Sequence, residues 1–129
     1  MSSTITREKT NILSKLKELQ QMEEQGQVIL HCLMPAPYAV TLIRIWPTTY
    51  LLDREGQRVA SLVHPEGIPL APTWMPVWGS FARFTLVFSG LDKTVSSFRM
   101  QEYCNGEGGA METHWIERNA SDVYQVELD

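Results

Sequence analysis

Beyond Gly26 the chain is a succession of short segments rich in β-branched and aromatic residues, separated by proline, glycine and asparagine. In residues 84–89 apolar and polar side chains alternate, and the same alternation recurs in residues 97–103 and 122–128. A period of two is typical of a strand with one buried face. Since no helical segment separates these strands, the pattern predicts an all-β domain rather than alternating strands and helices.

The order of the predicted strands favours a sandwich. Residues 48–63 read as a hairpin around an Asp-Arg-Glu-Gly turn, and residues 38–46 carry apolar side chains on both faces, which predicts a central strand between two layers. About seven short strands separated by turns are typical of a two-sheet antiparallel β-sandwich of immunoglobulin-like character. A small β-barrel is the alternative.

The first 26 residues have a different pattern, which predicts an amphipathic N-terminal helix from about Thr4 to Gln25. An apolar stripe with helical spacing runs along it, and Gly26 is well placed to end it. A single helix of this length is marginal in water, so it must dock on the sheet or on another chain. The expected organisation is therefore a helix over residues 1–26 and a β-sandwich domain over residues 27–129.

A proline-rich segment covers residues 64–80. Prolines recur there every three or four residues, which argues against both a helix and an interior strand. The segment also holds two tryptophans, so it either packs over a sheet edge or presents a binding surface. Together with the helical stripe it supplies the predicted interaction residues, which are Ile5, Ile12, Leu16, Leu19, Trp74, Met75, Trp78 and Arg83.

Composition and charge exclude several classes of protein. The 129 residues include 11 basic and 15 acidic side chains, for a net charge of −4, and the arginines are dispersed, which disfavours nucleic-acid binding. The longest apolar runs are far shorter than the roughly 20 residues of a membrane span. The N-terminus has no secretory-signal pattern, and two distant cysteines, Cys32 and Cys104, form no disulfide framework. We therefore expect a cytoplasmic protein.

The sequence carries no recognisable catalytic, cofactor or metal motif. The nearest arrangements are Cys104 with His114 as a thiol–imidazole pair and Glu112 with His114 as metal ligands, and neither spacing is specific. We therefore predict that the protein is not an enzyme and has no cofactor and no metal.

The function expected from these observations is a non-catalytic protein–protein interaction module. Its partner would be another protein or a second copy of the chain, and it could serve as an accessory subunit of a larger assembly. The alternative is a small-molecule or peptide binder with a pocket lined by Trp46, Trp74, Trp78 and Tyr50. A small thiol or metal enzyme is the third hypothesis.

Overall fold

The structure, a computed structural model, describes residues 12–13, 26–106 and 109–129. These residues form nine strands: β1 Gln27–Pro35, β2 Thr41–Ile43, β3 Thr49–Leu52, β4 Arg58–Glu66, β5 Met75–Val77, β6 Phe81–Ser89, β7 Ser97–Glu102, β8 Ile116–Glu117 and β9 Val123–Glu127. The all-β prediction is confirmed. The predicted helix lies outside the described residues, apart from the exposed Ile12 and Leu13.

Seven strands form one curled sheet, a half-barrel with the order β8-β7-β3-β4-β6-β1-β9, and β2 and β5 form a small separate sheet. The pairing register shifts twice along β4, opposite Leu51/Leu52 of β3 and between its own Leu62 and His64. Extra residues of this kind bend a strand and increase its twist, which accounts for curvature in the middle of the sheet.

An immunoglobulin-like antiparallel sandwich is not confirmed. The strands divide into seven and two rather than into comparable sheets, and β1 pairs with β9 in parallel, from Ile29 opposite Val123 to Leu33 opposite Glu127. The curvature resembles the barrel alternative, but β8 and β9 lie at opposite ends of the described sheet and are not paired.

The core lies on the inner side of the curl. Its largest fully buried side chains come from β1, β3, β6, β7 and the segment after β2, and they are Val28, Leu30, Ile45, Leu51, Leu86, Phe88, Phe98 and Met100. The small sheet contributes to the same core, because Ile43 belongs to it and Met75 and Val77 pack against it. The two sheets are therefore held together by shared apolar packing.

The prediction of a central strand over residues 38–46 is wrong. Only Thr41–Ile43 is a strand, and among the described strands it pairs with β5 alone. The alternation leaves Ile43 in the core and Leu42 in solvent, so this strand covers the core with one face only.

Candidate protein-interaction surface

The small sheet presents an apolar face to solvent. Leu42 of β2 lies opposite Pro76 of β5. Successive side chains of a strand point to opposite faces, so Met75 and Val77 turn inward and Pro76 turns outward. Trp74 and Trp78 flank this strand directly and are exposed. We call the four exposed residues, Leu42, Trp74, Pro76 and Trp78, the tryptophan face.

The tryptophan face consists of apolar residues, and its large side chains are nevertheless half exposed or more. Leu42 is 55% exposed, Trp74 51% and Trp78 70%, and Val40 just before β2 is also exposed. Scattered exposed apolar residues are ordinary, but several on one face are typical of an interaction site. Tryptophan is also among the residues that most often dominate binding energy.

A stacked arginine holds one edge of this face. The Arg44 guanidinium lies 3.8 Å from the centre of the Trp74 ring and 5.4 Å from that of Trp46. It also donates a hydrogen bond of 3.1 Å to the carbonyl of Pro72. The hydrogen bond fixes Arg44, and stacking on this guanidinium restricts the rotamers of the Trp74 ring.

A groove of about 580 Å³ adjoins the tryptophan face. Its lining includes Leu42 of β2 and the neighbouring Arg44 and Trp74, together with Met111 and Leu128. Its lining also includes Thr41, whose hydroxyl oxygen is buried without a hydrogen-bond partner among the described residues.

The predicted interaction residues separate into different places. Trp74 and Trp78 lie on the tryptophan face, whereas Met75 is turned toward the core. Arg83 is exposed on β6 and lines another groove, of about 760 Å³, beside Glu66 and Glu127. Ile12 is exposed, and the other predicted helix residues, Ile5, Leu16 and Leu19, lie outside the described residues.

The four aromatic residues proposed for a ligand pocket are not gathered in one place. Trp46 and Trp74 line the 580 Å³ groove, and Trp78 and Tyr50 are not among its lining residues. The Tyr50 ring packs instead against Tyr103, 6.0 Å away, beneath the Arg58 guanidinium at 4.1 Å.

Sequence reasoning missed Leu42 and Arg44. Both fell inside the segment taken for a central strand, where Leu42 was expected to be covered. The available signal was the repeat of Leu42, Arg44 and Trp46 at alternate positions, which in an edge strand puts them on one face. A second set of stacked arginines was also missed, including Arg54, whose guanidinium lies 4.1 Å from the Trp115 ring centre.

The thiol and metal candidates are placed as follows. Cys104 and Glu112 line the 580 Å³ groove, but His114 is not one of its lining residues. The His114 side chain is almost fully exposed, and its imidazole Nε2 lies 3.6 Å from a carboxylate oxygen of Asp129. Within residues 12–13, 26–106 and 109–129, no three side chains of the metal-ligating types form a group that could hold an ion.

Cys32 is buried in the core, and burial raises the pKa of its thiol from 9.0 to about 12. The thiolate is the reactive form, so we expect Cys32 in the native protein to resist iodoacetamide at pH 8 and to react once the chain is unfolded. Peptide mass spectrometry of native and urea-unfolded samples measures this. Rapid native alkylation of Cys32 would contradict it.

The raised pKa of Cys32 also predicts how the free energy of unfolding changes with pH. The unfolded thiol ionises near pH 9 while the buried thiol keeps its proton, so the unfolded state binds fewer protons in this range. The Cys32 contribution to the free energy of unfolding therefore falls as pH rises from 9 toward 12. A Cys32→Ala variant is expected to lose this part of the alkaline slope in urea titrations, whatever its stability at neutral pH.

Comparison with known proteins identifies no relative. No protein-family model matches the chain, and neither curated proteins nor solved structures give a match. Among the residues the structure describes, no helix combines the length and the apolar character needed to cross a membrane.

Proposed function

We propose that this protein is a non-catalytic binding module that docks a partner protein on the tryptophan face. The observation that carries the proposal is the exposure of Leu42, Trp74 and Trp78 on and beside a small sheet whose Ile43, Met75 and Val77 are anchored in the core. Burying this surface against a partner would be favourable because large apolar side chains leave water.

The rigidity of the face favours recognition of a folded partner. Leu42 and Pro76 are held by strand pairing, and Trp74 is held by Arg44. Pre-ordered side chains lose less conformational entropy on binding, which leaves more of the burial energy for affinity. We also propose that the seven-stranded sheet and the small sheet act as the two layers of an immunoglobulin-like sandwich.

The test compares partner binding by the intact chain and by Trp74→Ala and Trp78→Ala variants. A partner first captured on the intact chain is purified and titrated calorimetrically against each variant. Each substitution is expected to weaken binding about 30-fold, the effect of losing roughly 2 kcal/mol at a hot spot.

Trp115→Ala is the matched control, because it removes a partly exposed tryptophan beside β8, where it stacks with Arg54. This variant should bind the partner with unchanged affinity. If a folded Trp74→Ala/Trp78→Ala double variant retained the affinity of the intact chain, the proposal would be wrong.

A second function, binding of a small ligand or peptide side chain in the 580 Å³ groove, is favoured by one specific observation. The buried Thr41 hydroxyl has no partner among the described residues, although buried polar groups are normally satisfied. A ligand of this groove would shift the fluorescence of Trp46 and Trp74, and a Thr41→Val variant should bind it less tightly. The same shift in both proteins would count against a role for the hydroxyl.

A further inference from the structure

Strand β9 lies at the end of the curled sheet and is paired only with β1 among the described strands. Two backbone bonds define its orientation: Ile29 N–H donates to the Asp122 carbonyl at 2.9 Å, and Leu128 N–H donates to the Leu33 carbonyl at 2.8 Å. Alternate residues of a strand point their backbone groups to the same side. The N–H and C=O groups of Gln125 therefore point away from β1.

The same geometry applies to Glu127, whereas Val123 is already engaged. The Val123 carbonyl accepts a hydrogen bond from Asn119 Nδ2 at 3.0 Å, and its N–H donates to Ser121 Oγ at 3.3 Å. Local side chains thus occupy the edge at Val123. Gln125 and Glu127 present two donors and two acceptors on the side of β9 that no described strand pairs with.

Within the described residues, the β9 edge carries few of the features that usually prevent pairing with another chain, Glu127 being its one charged side chain. Protected edges carry proline, lysine or a bulge, or are very short. Residues Val123–Glu127 include no proline or lysine and pair with β1 without a register shift. At the other end of the described sheet, β8 is only two residues long.

We infer that β9 pairs with β9 of a second copy of this chain, antiparallel and centred on Val126. In this register Gln125 lies opposite the second copy's Glu127, and the reverse pair forms by symmetry. On this edge the backbone groups of both residues have no hydrogen-bond partner among the described residues, so the two pairs can exchange four hydrogen bonds. A register centred on Gln125 would instead place Val123, whose backbone groups are occupied, opposite Glu127.

The side chains suit the same register. Gln125 and Glu127 are exposed, so each Gln125 amide can donate to the carboxylate opposite it, a favourable cross-strand pair. On the inner face Val126 meets its own copy and Tyr124 meets Leu128, which continues the apolar row across the junction. This dimer does not use the tryptophan face and does not depend on the proposed function.

The register predicts opposite effects for two substitutions at one exposed position. In each copy, Gln125→Glu places a carboxylate opposite Glu127 of the other copy, and the substitution should raise the dimer dissociation constant at least tenfold. Gln125→Lys instead creates two ion pairs with Glu127 and should lower the constant. Sedimentation equilibrium of the full chain, from micromolar to near-millimolar concentration, measures both. Gln57→Glu, the same charge change in an exposed turn, is the control and should leave the constant unchanged.

Amide hydrogen exchange provides an independent measurement. The N–H groups of Gln125 and Glu127 should become protected as the dimer forms, while the Gln57 amide, bonded within its own turn to Asp53 Oδ1, should not change. A chain that is monomeric at all concentrations would overturn the inference. So would equal shifts for Gln125→Glu and Gln125→Lys, or a dimer that only Trp74→Ala and Trp78→Ala abolish.

Discussion

Replacement of Arg118 by alanine is expected to lower the free energy of unfolding by about 3 kcal/mol. The guanidinium makes two hydrogen bonds to the Asp122 carboxylate, at 3.0 and 3.1 Å. It also donates to the carbonyls of Asp92 at 2.7 Å, Val95 at 3.1 Å and Leu91 at 3.3 Å. Alanine would leave a mostly buried carboxylate without its cationic partner, and it would remove a hydrogen-bond donor from all three carbonyls.

Arg118 matters because it joins parts of the chain that are distant in sequence. It ties the loop after β6 to the turn that leads into β9, where Asp122 has the unusual φ of 54°. The hydrogen bond with Asp122 is the main reason that the pKa of Arg118 is raised above its ordinary value. The charge is therefore present at any working pH, and the loss should be nearly independent of pH near neutrality.

Two further variants separate charge from geometry. Arg118→Lys keeps the charge but cannot reproduce the planar fork, so it should recover only part of the lost stability. Tyr124→Phe removes a hydroxyl that donates to Asp122 at 2.8 Å and should cost only about 1 kcal/mol. Urea unfolding followed by circular dichroism measures all three, and an Arg118→Ala midpoint equal to that of the intact chain would refute this role.

Glu102→Ala is expected to destabilise the fold by roughly 2–4 kcal/mol. Glu102 is 3% exposed, and its carboxylate accepts hydrogen bonds from the backbone N–H of Trp46 at 2.8 Å and of Met111 at 2.9 Å. Removing the carboxylate leaves two N–H groups without their acceptor. It also releases the segments that carry Trp46 and Met111, both of which line the 580 Å³ groove.

Because Glu102 holds residues that line the groove, Glu102→Ala can also be tested by ligand binding there. Any ligand-induced fluorescence change of Trp46 should weaken in Glu102→Ala even under conditions where the variant is folded.

Glu102→Gln keeps one acceptor oxygen and should be less destabilising. Glu117→Ala removes an exposed carboxylate 3.5 Å from Arg54 and should change stability by less than about 0.5 kcal/mol. Equal losses for Glu102→Ala and Glu117→Ala would contradict the burial argument.

The alternation of apolar and polar residues predicted the positions of the strands that have one buried face. Residues 84–89 and 97–103 coincide closely with β6 and β7, and the hairpin predicted over residues 48–63 is the antiparallel pair β3–β4. In these segments apolar side chains alternate with polar ones because each strand contacts the core on one side and solvent on the other. The information is contained within five to nine neighbouring residues.

The proline-rich segment shows where local pattern was insufficient. Pro65 lies within β4, past the last pairing of that strand with β3 at Ser61, so only β6 needs its hydrogen bonds there. Pro76 lies in the small sheet, where each strand pairs on one side only as far as the described strands go. Proline is tolerated at such positions, but the sequence does not reveal which positions have an open side until the pairing is known.

The sequence alone determined the all-β class and the approximate position of most strands, because a two-residue period depends on near neighbours. Tertiary structure decided which strands pair, including the parallel β1–β9 contact, and which side of the small sheet faces the core. Apolar burial is not directional, so Trp74 could equally have covered the core. Its exposure follows from the pairing of β2 with β5, whose residues are more than thirty positions apart.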